Sequence, residues 1–94
     1  MILSYRDKRT ATFAQGGFVP AFAGFRTQAI RRLAILESAT SLADLQGLPS
    51  NRLEALKGDR TGQWSIRVNL QWRLCFEWPN DASGPGNVEI VDYH

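Results

Sequence analysis

The paired runs Gln63 to Asn69 and Gln71 to Trp78 constrain this chain most, because a tight turn at Leu70 admits only one antiparallel register that keeps the apolar residues together. Trp64, Ile66 and Val68 alternate onto one face of the first run, and Trp72, Leu74, Phe76 and Trp78 onto one face of the second. For these sets to share a face, Val68 must pair with Trp72, Ile66 with Leu74 and Trp64 with Phe76. The same register sets Arg67 opposite Arg73. Like charges directly opposite on a sheet are destabilising. The pair therefore reads either as two arginines splayed into water or as a place where something anionic sits, and pairing alone leaves both open. A third run, Asn87 to His94, and a weaker lead-in, Arg52 to Lys57, are set off by Gly58 to Gly62 and Pro79 to Gly86. That punctuation is the mark of an antiparallel meander.

The residues ahead of the meander read mainly as helices. Met1 to Tyr5 alternates weakly, as an edge strand would. Asp7 is placed to cap a helix over Lys8 to Gln15 that Gly16-Gly17 stops. A second helix, starting at Ala21 or Phe25 and reaching Ala39, spaces Phe22, Phe25, Ala29, Leu33 and Leu36 by three and four, which aims one stripe at the sheet and leaves Arg26 and Arg31 or Arg32 outside. Ser41-Leu-Ala-Asp44 resembles a capping box and opens a short helix that ends before Gly47-Leu48-Pro49. The expected fold is α+β: an N-terminal edge strand and two to three helices on one face of a C-terminal antiparallel meander, with residues 1–94 as a single domain and the face of Arg67 and Arg73 left open.

Composition narrows the function classes. One cysteine, Cys75, permits no internal disulfide and fits a reducing cytoplasm. The apolar start is too short for a signal peptide, and no run approaches the roughly 20 apolar residues of a membrane span, so a soluble cytoplasmic protein without a membrane role is expected. Net charge is only +2, but the first 36 residues hold six Lys and Arg against one Asp, which favours a polyanionic partner over a solvated basic face without proving it. There is one His, no CxxC, no HExxH and no phosphate-cradling glycine loop, so neither metal nor cofactor is called for. What remains for chemistry is a polar set: Glu54, Lys57, Arg67, Arg73, Asp92, Tyr93 and His94. Residues of these types can supply a base, cations for a phosphorane and an acid.

The segments Leu53-Glu-Ala-Leu-Lys-Gly-Asp59, Gly62-Gln-Trp-Ser-Ile-Arg67, Gln71-Trp-Arg-Leu-Cys-Phe76 and Val88-Glu-Ile-Val-Asp-Tyr-His94 together resemble the HigB-type toxins of the RelE superfamily. The likeness extends to the Ser4-Tyr-Arg-Asp-Lys8 opening and to Leu36-Glu-Ser-Ala-Thr40. It implies a ribosome-dependent mRNA endonuclease, the toxin of a type II toxin–antitoxin pair, with a HigA-type helix-turn-helix antitoxin, the ribosome and mRNA as partners, and DNA reached only through the antitoxin. Two other readings come from different classes: a non-enzymatic ParE-like inhibitor of gyrase, and a degenerate toxin kept as an antitoxin or regulatory partner.

Carried over position by position, the resemblance makes Lys57 and Arg73 basic active-site residues and Asp92, Tyr93 and His94 a terminal catalytic cluster, with Arg60, Arg67 and Gln71 as RNA-binding residues. Some family members read Leu-His-Pro-Leu-Lys where this chain has Leu53-Glu-Ala-Leu-Lys57, so Glu54 occupies a catalytic histidine position and becomes the candidate base. Glu54 and Lys57 have opposite parity, and reaching one site requires a bulge or a Lys57 already in the loop. His94, beside Asp92 and a terminal carboxylate that favour its protonated form, is the candidate general acid; the residues alone favour instead a terminal histidine in solvent.

Overall fold

The computed structural model describes residues 1–92, so Tyr93 and His94 lie outside the described residues. Three α-helices, α1 (Lys8–Ala14), α2 (Arg26–Ser38) and α3 (Leu42–Gln46), precede a four-stranded antiparallel sheet of β1 (Glu54–Ala55), β2 (Gln63–Arg67), β3 (Trp72–Glu77) and β4 (Gly86–Asp92), in spatial order β1-β2-β3-β4. The architecture is α+β, as the sequence pattern requires. Trp64 pairs with Phe76, Ile66 with Leu74 and Arg67 with Arg73. Val68 N–H donates to the Trp72 carbonyl, which closes the loop. Asn69 fixes that loop by accepting, through Oδ1, from the N–H groups of Gln71 and Trp72, both at 2.8 Å.

The helices form where the sequence signals start and stop. Asp7 caps α1 by accepting from Thr10 N–H, and Ser41 caps α3 by accepting from Asp44 N–H. Asp44 accepts from the backbone and hydroxyl of Thr40 and, more weakly, from the backbone of its own cap residue Ser41, which together hold its carboxyl below the usual range. Phe22, Phe25, Ala29, Leu33 and Leu36 are all buried, and with Phe13, Ile66, Leu74, Phe76, Val88 and Ile90 they make one core between helices and sheet. Phe22 and Phe25 enter it from a 3₁₀ segment, Pro20–Phe25, rather than from α2 itself.

Two arrangements differ from expectation. Met1 to Tyr5 follows the outer edge of β4 as anticipated, but it runs parallel and forms one bridge, Tyr5 with Val88, instead of a strand. Leu3 N–H donates to the Pro85 carbonyl, Arg6 N–H to the Val88 carbonyl and Val88 N–H to the Ser4 carbonyl, and the buried Thr10 hydroxyl accepts from Ile90 N–H. These bonds protect the edge of β4 from further pairing. The Arg67–Arg73 face is also less open than expected, because Ser65 and Cys75 on it are fully buried. The reason is that arginine stems carry apolar surface, and Arg6, Arg60 and Arg73 lie across this face rather than leaving it to water.

A buried asparagine joins the two halves. Asn51 donates to the Leu45 carbonyl at 3.0 Å and accepts from Arg32 of α2 at 2.6 Å, pinning the 3₁₀ turn Pro49–Asn51. Arg32 therefore ties α2 to the approach to β1 rather than standing outside, and burial together with neighbouring Arg31 lowers its pKa. Just after the turn Arg52 adopts the left-handed conformation, φ 49° and ψ 51°, which is uncommon for a residue with a Cβ and has to be held by its surroundings.

Candidate active site

Strand pairing decides which of the polar residues can act together. Glu54 pairs with Ser65, Ser65 with Cys75 and Cys75 with Glu89, forming one row across four strands; Arg67, Arg73 and Val91 form the next. Directly opposed residues project to the same side, so Glu54, Ser65, Arg67, Arg73, Cys75 and Glu89 share the face turned away from the core. Arg73 Nη1 donates to Ser65 Oγ at 2.9 Å and to the Arg52 carbonyl at 3.4 Å. Arg67 turns aside, its Nε donating to the Asn69 carbonyl at 3.2 Å. The opposed cations are thus turned toward different acceptors, which eases their repulsion.

Glu54 and Lys57 come together because β1 is short. The strand ends at Ala55, Leu56 N–H still donates to the Gln63 carbonyl, and Lys57 already caps the 3₁₀ turn Gly58–Arg60, so no bulge is needed. A cleft of about 360 Å³ is lined by Glu54, Ala55, Leu56 and Lys57. Another, of about 240 Å³, lies between the N-terminal segment and α1 and α2, lined by Ile2, Tyr5, Phe13 and Leu33 among others; it holds none of the candidate residues.

Arg60 has a different setting from the one its motif suggests. Its Nη1 donates to Gln63 Oε1 at 3.0 Å and to Glu89 Oε1 at 3.3 Å, and Arg6 approaches the same carboxylate at 3.8 Å. Two arginines thus surround one glutamate, with Glu77 on the same face opposite Gln63. Cys75, beneath the group, has its thiol pushed up to about 11, chiefly by burial, with Glu89 adding to the shift and Arg60, Arg73 and Arg6 opposing it. A thiol so placed stays protonated near neutral pH and is not a nucleophile.

Asp92 pairs with Trp72 and so projects toward the helical side, opposite to Arg73. Its Oδ2 accepts from Gln71 Nε2 at 2.8 Å, which joins two of the expected residues at the end of the sheet. Arg73 and Asp92 each make further interactions besides these. Tyr93 and His94 are outside the described residues. The residue that sequence reasoning missed is Ser65: it lies two positions before Arg67 on the same side, diagonal to Arg73, and the register already contained that relation.

A family model described as "RelE-like toxin of type II toxin-antitoxin system HigB" matches residues 5–94. Toxin HigB-1 of Vibrio cholerae is 37% identical over 82 residues, covering 83% of this chain and 84% of that protein. Endoribonuclease HigB of Proteus vulgaris is 40% identical over 63 residues, covering 67% and 65% respectively. Among solved structures, a YoeB/ParE toxin from Agrobacterium tumefaciens superposes with a TM-score of 0.49 at 19% identity, covering 99% of this chain and 97% of that one.

Proposed function

This chain belongs to the HigB family of RelE-like toxins of type II toxin–antitoxin systems, and on that premise we propose that it cleaves mRNA held in the decoding site of the ribosome. Membership implies an antitoxin partner; the partner we propose is a HigA-type helix-turn-helix protein, through which alone the toxin meets DNA. The Proteus vulgaris relative is named an endoribonuclease, and the same activity here would arrest translation in the cytoplasm. Among the described residues no helix is long and apolar enough to cross a membrane.

The observation that carries the reading is the placement of Arg73, a β3 guanidinium held at 2.9 Å from a buried hydroxyl, on the face that also bears Glu54. In the proposed reaction Glu54 takes the proton of the ribose 2′-hydroxyl and the freed oxygen attacks the adjacent phosphorus. Arg73 and Lys57 stabilise the phosphorane charge, and the bond to the 5′-oxygen breaks as His94 protonates it. The products are a 2′,3′-cyclic phosphate and a 5′-hydroxyl. Arg67 and Arg60 add positive charge for the RNA backbone, and Asp92, bonded to Gln71, and Tyr93 complete the proposed set.

Mapping RNA ends after induced expression tests the reading. Cyclic-phosphate ends within translated messages are expected, and Glu54→Gln and His94→Gln should each lower the cleavage rate by about 10²-fold or more, the usual weight of a positioned acid or base. Growth arrest with intact messages and inhibited gyrase would instead place the protein with the non-enzymatic toxins.

A further inference from the structure

We infer that Ser65 is a positioning residue that sets the aim of the Arg73 guanidinium, an inference that rests on the reading of Arg73 as the phosphate-binding group. The Ser65 hydroxyl lies on the candidate face with no exposure to solvent. Its Oγ accepts from Arg73 Nη1 at 2.9 Å, while the Arg52 carbonyl accepts from the same nitrogen at 3.4 Å. One nitrogen is therefore held from two directions. Because a guanidinium is planar and its donors form a rigid fork, fixing Nη1 also fixes where the remaining nitrogens can point.

Both acceptors are themselves held. Ser65 lies in β2, paired to Glu54 on one side and Cys75 on the other, so its Cα has no freedom to drift. Arg52 presents its carbonyl from a left-handed backbone (φ 49°) that follows the Asn51 turn locked by Leu45 and Arg32. A conformation of this kind is costly for a residue with a Cβ and persists only where neighbours determine it. Ser65 also stands between the candidate base and the candidate phosphate ligand, opposite the first and bonded to the second. Losing its hydroxyl removes one of the contacts that orient Arg73 while leaving its charge in place. A reacting-group displacement of about 1 Å is enough to cost about 10²-fold in rate.

The test uses the full-length protein on programmed ribosomes, with single-turnover kcat, KM, ribosome association and Tm measured for each variant. Ser65→Ala is expected to lower kcat by about 10- to 100-fold with KM, association and Tm near the parent. Ser65→Thr, which restores the hydroxyl, should recover to within a few-fold. In an Arg73→Ala background, Ser65→Ala should add no further loss, since its effect passes through that guanidinium. If Ser65→Ala does not fold, the near-isosteric but weakly accepting Ser65→Cys is read in the same way. Parental kcat in the folded Ser65 variant, or an equal loss with and without Arg73, would overturn the inference. An Arg73→Ala protein that cleaves as fast as the parent would overturn the reading of Arg73 itself, a separate failure.

Discussion

Arg73→Ala should lower ribosome-dependent cleavage by about 10² to 10³-fold while leaving ribosome association within a few-fold of the parent. The argument is one of preorganisation. Arg73 is the second residue of β3, between Trp72 and buried Leu74, so its stem is fixed by packing, and its head is held in part by Ser65 and the Arg52 carbonyl. A donor already aimed at the developing charge needs no reorganisation during reaction, which is why its loss falls on kcat. Binding suffers less, because Lys57, Arg60 and Arg67 still supply positive charge. The loss of the Arg73 hydrogen bonds to Ser65 and the Arg52 carbonyl is offset in part by relief of the repulsion from Arg67 directly opposite. Arg67→Ala is expected to behave in the other sense, weakening association and flattening its salt dependence by about one phosphate contact while kcat holds. Equal and small effects from both would make the cross-strand pair an ordinary solvated surface.

Phe22→Ala should destabilise the fold by about 3 to 5 kcal/mol. Phe22 is fully buried, and its ring lies 5.3 Å from Phe13, 5.7 Å from Phe25 and 5.7 Å from Trp72, with the Arg9 guanidinium 5.0 Å from the ring centre. It therefore touches α1, the 3₁₀ segment and β3 at once, and no one neighbour can move in to fill the space without leaving another. A domain of this size has a total stability of about 5 to 14 kcal/mol, so the loss is a large part of the whole. At about 4 to 8 °C per kcal/mol, Tm should fall by about 12 °C or more. Phe18→Ala, at a ring 72% exposed, is the control and should stay within about 0.5 kcal/mol. Denaturant unfolding followed by circular dichroism separates the two; matching small losses would mean that the core closes around Phe25 and Trp72 without Phe22.

Much of this arrangement was legible in the sequence because it depends on local rules. Alternation on both sides of Leu70 set the β2–β3 register, including Arg67 opposite Arg73, and Asp7 and Ser41 announced the helix starts. The parts that were not legible depend on contacts far apart in the chain. Nothing within Met1 to Tyr5 says that it will run parallel to β4, since its partner lies more than 80 residues away. The left-handed Arg52 follows from a buried Asn51 whose partners are Leu45 and Arg32. The side on which Asp92 falls depends on the β3–β4 register, which a long connection with a bulge near Glu77 and a left-handed Asn87 sets, and no tight turn fixes. The candidate set was drawn from residue type and family likeness, whereas the bond from Arg73 to Ser65, which the register already placed diagonally across from it, depends on side-chain geometry that alternation does not give.

In the proposed reaction the protein supplies a preorganised face and the ribosome supplies the bent message. Glu54 and Lys57 line an open cleft, and Arg73 lies on the same sheet face as Glu54, so in-line geometry at the phosphorus has to come from the substrate's own constraint. The direct measurement is cleavage of one defined mRNA by the purified protein, free and bound in the decoding site of purified ribosomes, with the ends of the products identified. The account predicts rapid cleavage on the ribosome, ending in a 2′,3′-cyclic phosphate and suppressed by Arg73→Ala, and little cleavage of the free message. Equally fast cutting of the naked RNA, or cutting on the ribosome that ignores Arg73, would contradict it.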